Sequence, residues 1–437
     1  MAKLHGIHLD HKKNTADMAP VRMDSPWSVT LPMNMHIGKP AIPVVKVGDE
    51  VKVGTLIGEP DGYISAPIHA SVSGTITNIA PMWTSGGSQF TAVTIKSDGL
   101  MTLDETIAPP DLHDYNSFIK AVRDSGVVGL GGAGFPTSVK LDVKDLSRVD
   151  AVLINGAEFE PYITSDTRTM IDDLDFVREG IELLKKYLKV EKFVIGIEKN
   201  KSEAIKSMKK LESDPAVSVK VLPSMYPQGG EKVLTFHATG KVVPEGKLPI
   251  DVGCIVINVT TLSAVAKYVK TGMPLVERVV TVDGGAVSEP KNVIVPIGTP
   301  LLEVFNFCGG FKEDPVKVLY GGPMMGLSVK DINSPILKNN NAVLAFNAKE
   351  GHLPPPTPCI RCGRCVRACP LGLMPLDFAR GYLLRDYELL EDRHINLCME
   401  CGCCSYVCPA HRPLVEDNKL AKAVLKRHKE KMKGAKN

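Results

Sequence analysis

Eight of the chain's eleven cysteines fall into two runs of identical spacing. Cys359, Cys362, Cys365 and Cys369 are followed by Pro370, and Cys398, Cys401, Cys404 and Cys408 by Pro409. Three thiols at successive two-residue gaps let a tight loop wrap a compact polynuclear centre. The fourth, followed by a proline that stops the chain from looping back, points away to a different centre. The chain opens on Met1-Ala2-Lys3-Leu4-His5 with no apolar leader, which argues against a secreted disulfide framework. A pair of zinc knuckles would use the Cys-x-x-Cys pairs but leaves two matching Cys-Pro endings unexplained.

The spacing is that of bacterial two-cluster ferredoxins, in which the fourth cysteine of each run ligates the other cluster. It assigns Cys359, Cys362, Cys365 and Cys408 to one [4Fe–4S] cluster, and Cys398, Cys401, Cys404 and Cys369 to a second. Cys254 lies in an apolar strand and reads as a small core residue, as does Cys308. Cys403 falls outside the spacing and is a bystander, and His394 and His411 read as exposed or capping residues.

A chain of 437 residues exceeds one ordinary core and divides into three or four domains. With 5% aromatic residues and a net charge of only +3, it is not built as a nucleic-acid binder. The charge is uneven: residues 418–437 hold eight Lys or Arg and one acid. That tail reads as a basic helix for anionic lipid or an acidic partner, or as a solvated terminus. No window reaches the ~20 apolar residues of a membrane span. The nearest, Val252 to Ala266, is interrupted by Asn258, Thr260, Thr261 and Ser263. The chain is therefore expected to have no span of its own and to work in a reducing compartment.

The pattern predicts a multidomain α+β protein. Residues 1–41, with Pro20, Pro26, Pro32 and Pro40, read as an extended lead-in. Residues 42–110 alternate apolar positions with turn glycines and form a small β-sandwich. In residues 111–272 strands that are apolar throughout alternate with helices, which indicates a parallel sheet covered on both faces. Residues 273–350 return to short strands in a β-grasp-like domain. Pro354 to Pro358 form a stiff spacer into the cluster domain (351–415), where one helix from Met374 to Leu390 separates the cysteine runs. Residues 416–437 are the tail.

Residues 42–110 resemble a biotinyl/lipoyl-type barrel-sandwich hybrid, but the hairpin tip offers Asp61, Gly62 and Tyr63 and no carrier lysine. The resemblance therefore implies a docking module without a swinging arm. Glycines such as Gly129, Gly131, Gly132 and Gly134 let backbone N–H groups approach a phosphate or a flat ring closely. Alone they are weak evidence, and no standard dinucleotide fingerprint surrounds them. The run Gly129 to Lys140, the segment Asn155-Gly-Ala157-Glu158-Phe-Glu160-Pro161, Gln228-Gly-Gly230-Glu231 and Val256-Ile257-Asn258 together resemble the NADH-binding flavin subunit of respiratory complex I. The resemblance implies that Gly129, Gly131, Gly132, Gly134, Lys140, Asn155, Glu158 and Asn258 contact FMN. It further implies that Phe135, Glu160 and Glu231 face NAD(H). Ala157, Gly230 and Ile257 depart from that family's Asp, Glu and Asn. Read without the resemblance, Lys140 is a surface lysine, Asn155 satisfies a turn, and Glu158 and Glu160 alternate along an extended segment and point the same way.

The order of modules over the whole chain is similar to the C subunit of Rnf-type ion-translocating ferredoxin:NAD⁺ oxidoreductases, with a β-grasp module of the SLBB kind. The resemblance implies hydride exchange between NAD(H) and FMN, single-electron passage through the two clusters, and ferredoxin as an indirect partner. It also implies integral membrane and iron–sulfur partner subunits and a peripheral place on the cytoplasmic face of the cell membrane. Soluble flavin/iron–sulfur reductases such as cobalamin reductase share most modules, and an electron-relay and assembly subunit without nucleotide binding is a further alternative.

Overall fold

In the computed structural model, which describes residues 4–84 and 87–434, the apolar strands of the α/β domain form a four-stranded parallel sheet. Its order is Val217–Leu222, Phe193–Glu198, Ala151–Asn155, Cys254–Asn258. The period of two explains why the strands are apolar throughout. Val152, Ile154, Ile195, Ile197, Ile255 and Ile257 enter one core with Val177, Ile181, Leu184 and Leu188 of the helix Leu174–Leu188. Ala151, Leu153, Val194 and Val256 enter a second core beneath Leu234 of the helix Glu231–Thr239, and Cys254 is buried there as a small apolar residue. The chain steps outward from Ala151–Asn155 in one direction and later returns on its other side as Cys254–Asn258. The switch point between these two strands is where open α/β sheets bind ligands, beyond the strands' carboxyl ends.

The barrel-sandwich domain pairs one sheet ordered Ser28–Pro32, Gln89–Ser97, Gly74–Trp83, Glu50–Val51 with a second ordered Ile42–Pro43, Leu56–Glu59, Ile68–His69. The expected lead-in of residues 1–41 is corrected here. Ser28–Pro32 is a full strand whose Val29 and Leu31 are completely buried in the sandwich core. Val21–Arg22 instead extends the β-grasp sheet, in parallel with Lys291–Pro296. The hairpin tip without a lysine meets the α/β domain: Arg123 Nη2 donates to Gly62 O at 2.6 Å and Tyr63 Oη to Asp142 at 2.8 Å.

The β-grasp sheet has six strands, with Ala342–Phe346 buried between Glu277–Asp283 and Lys317–Tyr320, and the helix Leu301–Phe307 packed against it. In the cysteine domain the single expected helix 374–390 is two helices, Pro375–Leu384 and Tyr387–Asp392. Arg385 sits between them with φ +54°, and the reversal brings Leu390 against Gly381, where a Cβ would lie 2.7 Å from Leu390 Cδ2. The basic tail forms the helix Leu414–Gly434, whose Ala421 and Leu425 pack on Phe378, Leu390 and Ile395. Lys422 pairs with Glu400 and Lys429 with Glu391, and the tail's last three residues lie outside the described residues.

Candidate flavin and cluster centres

Asn155 and Asn258 end adjacent strands as register partners, so they stand side by side at the switch point. Asn258 begins the helix Val259–Thr271: its Oδ1 accepts from Thr261 N at 3.0 Å, and its Nδ2 donates to Asp166 at 2.7 Å. Asn155 Nδ2 donates to Gly229 O at 2.9 Å and its Oδ1 accepts from Ala157 N at 3.2 Å. The glycine loop folds over Asn258 so closely that a Cβ on Gly131 would lie 2.7 Å from Asn258 Nδ2. Gly129 N donates to Phe135 O and Gly134 N to Gly129 O, which closes the loop. Gly134 (φ +69°) and Gly132 (φ +154°) provide its turns. Lys140 is not a free surface lysine: Nζ crosses the sheet's end to Val256 O (3.0 Å) and Glu231 (2.7 Å).

This crevice fits a flavin nucleotide. At the exposed tip the N–H groups of Gly131, Gly132 and Ala133 have no protein acceptor among the described residues. The buried Thr137 Oγ1 and Gln228 Oε1 beside the predicted segments also have no partner. Half-buried Phe135 lies at the loop's end. Glycine-lined N–H donors suit phosphate oxygens, and the orphaned polar atoms await a polar ligand.

The two glutamates part company. Glu158 has φ +45°, so the segment is not regularly extended and the expected common direction of Glu158 and Glu160 is lost. Glu158, expected at the flavin, has a buried carboxylate that receives Asp166 N (2.6 Å), Thr167 N (3.2 Å) and the Thr167 hydroxyl. It thereby caps the helix Ser165–Asp172. Glu160 turns to the β-grasp domain: it accepts from Met324 N at 3.1 Å and lies 3.4 Å from Tyr226 Oη of its own domain. Burial raises its carboxyl to about 7. Beneath both, half-buried Lys13 donates to the carbonyls of Glu158, Glu160 and Ile163, and desolvation of its ammonium lowers it to about 7. Glu231 is exposed at the start of its helix, with Lys140 as partner.

The cysteines line two separate cavities. One is bounded by Cys359, Cys362, Cys365 and Cys408. The other is bounded by Cys369, Cys398, Cys401 and Cys404. The fourth cysteine of each run thus faces the other run's loop, the arrangement that crossed ligation requires. Among the described residues no three His, Cys, Asp or Glu side chains converge tightly enough for one metal ion. Four thiols lining each of two separate cavities are a donor set suited to an iron–sulfur centre. Cys403 lines the second cavity as well, between two ligand positions.

The second cavity abuts the flavin crevice. Tyr226 Oη donates to Cys401 O at 2.6 Å, and the Tyr226 and Phe159 rings lie 5.2 Å apart. Met399 seats on Gly230, where a Cβ would lie 1.9 Å from its Cε. The cluster domain thus occupies the space that a side chain at position 230 would fill. Tyr226, Met399, Lys13 and Asp166 were not singled out from the sequence. Only Asp166 carries a local signal, the Thr-Ser-Asp-Thr helix start.

A flavin-type α/β domain wedged against a paired-cluster domain defines a nicotinamide–flavin–iron–sulfur electron-transfer module. The family models agree domain by domain. The RnfC barrel sandwich hybrid domain matches residues 3–100, the Nuo51 FMN-binding domain 122–267, the SLBB domain 279–328 and the 4Fe-4S dicluster domain 358–411. The chain is 42% identical to the C subunit of the proton-translocating ferredoxin:NAD(+) oxidoreductase complex of Clostridium ljungdahlii, over 85% of this chain and 82% of that one. It is 40% identical to the C subunit of the Na(+)-translocating ferredoxin:NAD(+) oxidoreductase complex of Acetobacterium woodii, over 86% of each chain. The C subunit of the ion-translocating oxidoreductase complex of Rhodobacter capsulatus is 37% identical, over 96% of this chain and 82% of its own. The chain belongs to the family of Rnf complex C subunits. Among the described residues no helix is long and apolar enough to cross a membrane.

Proposed function

We propose that this chain is the peripheral subunit that exchanges hydride between NAD(H) and FMN and passes single electrons through two [4Fe–4S] clusters. It sits on the cytoplasmic face of the cell membrane beside integral membrane and iron–sulfur subunits. FMN, when bound, supplies the conversion between a two-electron and a one-electron carrier. The protein's residues hold and orient it: Gly129, Gly131, Gly132, Gly134, Asn155 and Asn258 line its crevice, with Lys140 at the sheet's end. Phe135 and Glu231 flank the nicotinamide side. Glu158 serves this site by capping a helix and Glu160 by tying the crevice to the β-grasp domain.

The observation that carries the reading is the contact of the Tyr226–Gly230 segment with Met399 and Cys401. It supports a place for the Cys369/398/401/404 cluster beside the flavin crevice. The other cavity borders exposed Cys359 and Cys362, with exposed Arg361, Arg364 and Arg367 around them. Cys369, Cys398, Cys401 and Cys404 would therefore hold the inner cluster, which exchanges electrons with FMN, and Cys359, Cys362, Cys365 and Cys408 the outer one, which faces an iron–sulfur partner. Ion transport belongs to the membrane partners.

The test is anaerobic reconstitution with iron, sulfide and FMN, followed by NADH addition and freeze-quench EPR. The expected result is about eight iron and one FMN per chain, with the inner cluster reduced first. Reconstituted protein that carries clusters but binds neither FMN nor NADH would overturn the flavin assignment.

A further inference from the structure

The glycine loop belongs to the α/β domain, yet other domains hold its carbonyls. Lys338 Nζ of the β-grasp domain donates to Gly126 O at 2.8 Å and to Pro67 O of the barrel-sandwich at 2.6 Å. Arg278 Nη2 donates to Leu130 O at 3.0 Å, and Asn339 Nδ2 to Gly132 O at 2.6 Å. Ile37 N of the barrel-sandwich reaches Gly134 O at 3.0 Å. Within its own domain the loop has Thr261 Oγ1, which receives Leu130 N at 2.9 Å.

Two consequences follow from this pattern. With the carbonyls of Leu130 and Gly132 engaged by β-grasp donors, the N–H groups of Gly131, Gly132 and Ala133 are left to face the open crevice. Further, Lys338 and Arg278 are buried (1% and 3% exposed) and bonded to carbonyls, with no carboxylate at ion-pair distance among the described residues. Asp166 is the charged neighbour of Arg278 beyond that distance. In front of these two side chains the three free N–H groups of the loop suit an anionic ligand group.

We propose that the β-grasp residues Asn339, Arg278 and Lys338 are positioning residues that shape the glycine loop for the phosphate end of the flavin. This rests on the FMN reading above. The loop's shape is therefore a property of three docked domains rather than of the α/β domain by itself.

The experiment uses the full cluster-loaded chain stripped of flavin, titrated with FMN and separately with riboflavin, which lacks the phosphate, by flavin fluorescence quenching. Asn339 is half-exposed and removable without a core defect. Asn339→Ala is expected to weaken FMN about tenfold, the effect of losing one positioning hydrogen bond, and to leave riboflavin within about twofold. Asn339→Asp, isosteric but without the donor, should weaken FMN further. Arg123→Ala, which removes a different inter-domain bond, should change neither ligand. Equal weakening of FMN and riboflavin, or no change in either, overturns the proposal. Failure of the wild-type chain to bind FMN instead overturns the flavin reading beneath it.

Discussion

Gly131→Ala tests the crevice most directly. The φ of Gly131 is not in the left-handed region, so only space forbids a side chain there. The added methyl would lie 2.7 Å from Asn258 Nδ2, 3.1 Å from its Cγ and 3.3 Å from its Cβ. Asn258 cannot swing away cheaply, because one end caps a helix and the other is bonded to Asp166. Displacing it loses the cap, about 1 kcal/mol, and a hydrogen bond to a carboxylate, about 1.5–3 kcal/mol. The sum is about 2.5–4 kcal/mol. For a domain of this size that lowers the unfolding midpoint by roughly 5–15 °C, read by circular dichroism on anaerobic, cluster-loaded protein. Both tryptophans lie in the barrel-sandwich and would miss the event. FMN affinity should fall at least about tenfold, the equivalent of 1.4 kcal/mol. Asn258→Ala in the same chain should remove the clash, so the double variant costs little more than Asn258→Ala by itself. A midpoint within about 2 °C of wild type with unchanged FMN affinity would refute the reasoning.

Other outcomes are equally concrete. Cys408→Ser should abolish the EPR signal of the outer cluster and keep that of the inner one, while Cys369→Ser does the reverse; the opposite assignment would show uncrossed ligation. Burial raises the Glu160 carboxyl from its ordinary range to about 7, so the folded chain holds that proton where the unfolded chain has released it. Its contribution is complete below pH ~4.5 and is lost as pH rises through about 7, roughly 3 kcal/mol in all. Glu160→Gln should therefore flatten urea midpoints between pH 5 and 8, and an unchanged slope would exclude Glu160 as the source. Gly230→Ala should push Met399 aside at a cost of about 1–3 kcal/mol and slow NADH reduction of the clusters. Adding Met399→Ala should restore stability, and no rescue would mean that Met399 is not the obstacle.

The cysteine runs were fully legible, because metal ligation fixes spacing in a way no surface loop can vary. The parallel strands were legible because alternate residues feed two cores, which leaves no polar position between Ala151 and Ile154. Ser28–Pro32 was missed: its alternation spans five residues, too few to separate a strand from a proline-rich lead-in. The helix break at Arg385 has no glycine or proline to announce it, and the reversal follows from the packing of Leu390 on Gly381. The direction of Glu158 was misread because a non-glycine residue at positive φ is invisible to a period-two pattern. The contacts of Tyr226 with Cys401 and of Met399 with Gly230 join residues more than 160 positions apart, a distance at which no local pattern carries information.

The ammonium of Lys13 reaches carbonyls 145 to 150 positions further along the chain and ties down the turn from Glu158 to Ile163. That turn is thus encoded by a segment made long before it. Such a contact returns its free energy only after a long loop has been closed. During folding the parallel sheet can form with the turn still loose, and the turn sets when the early segment comes home. Hydrogen exchange during refolding should accordingly protect the Ile154 amide well before that of Tyr162, whose N–H donates to His11 O of the same early segment.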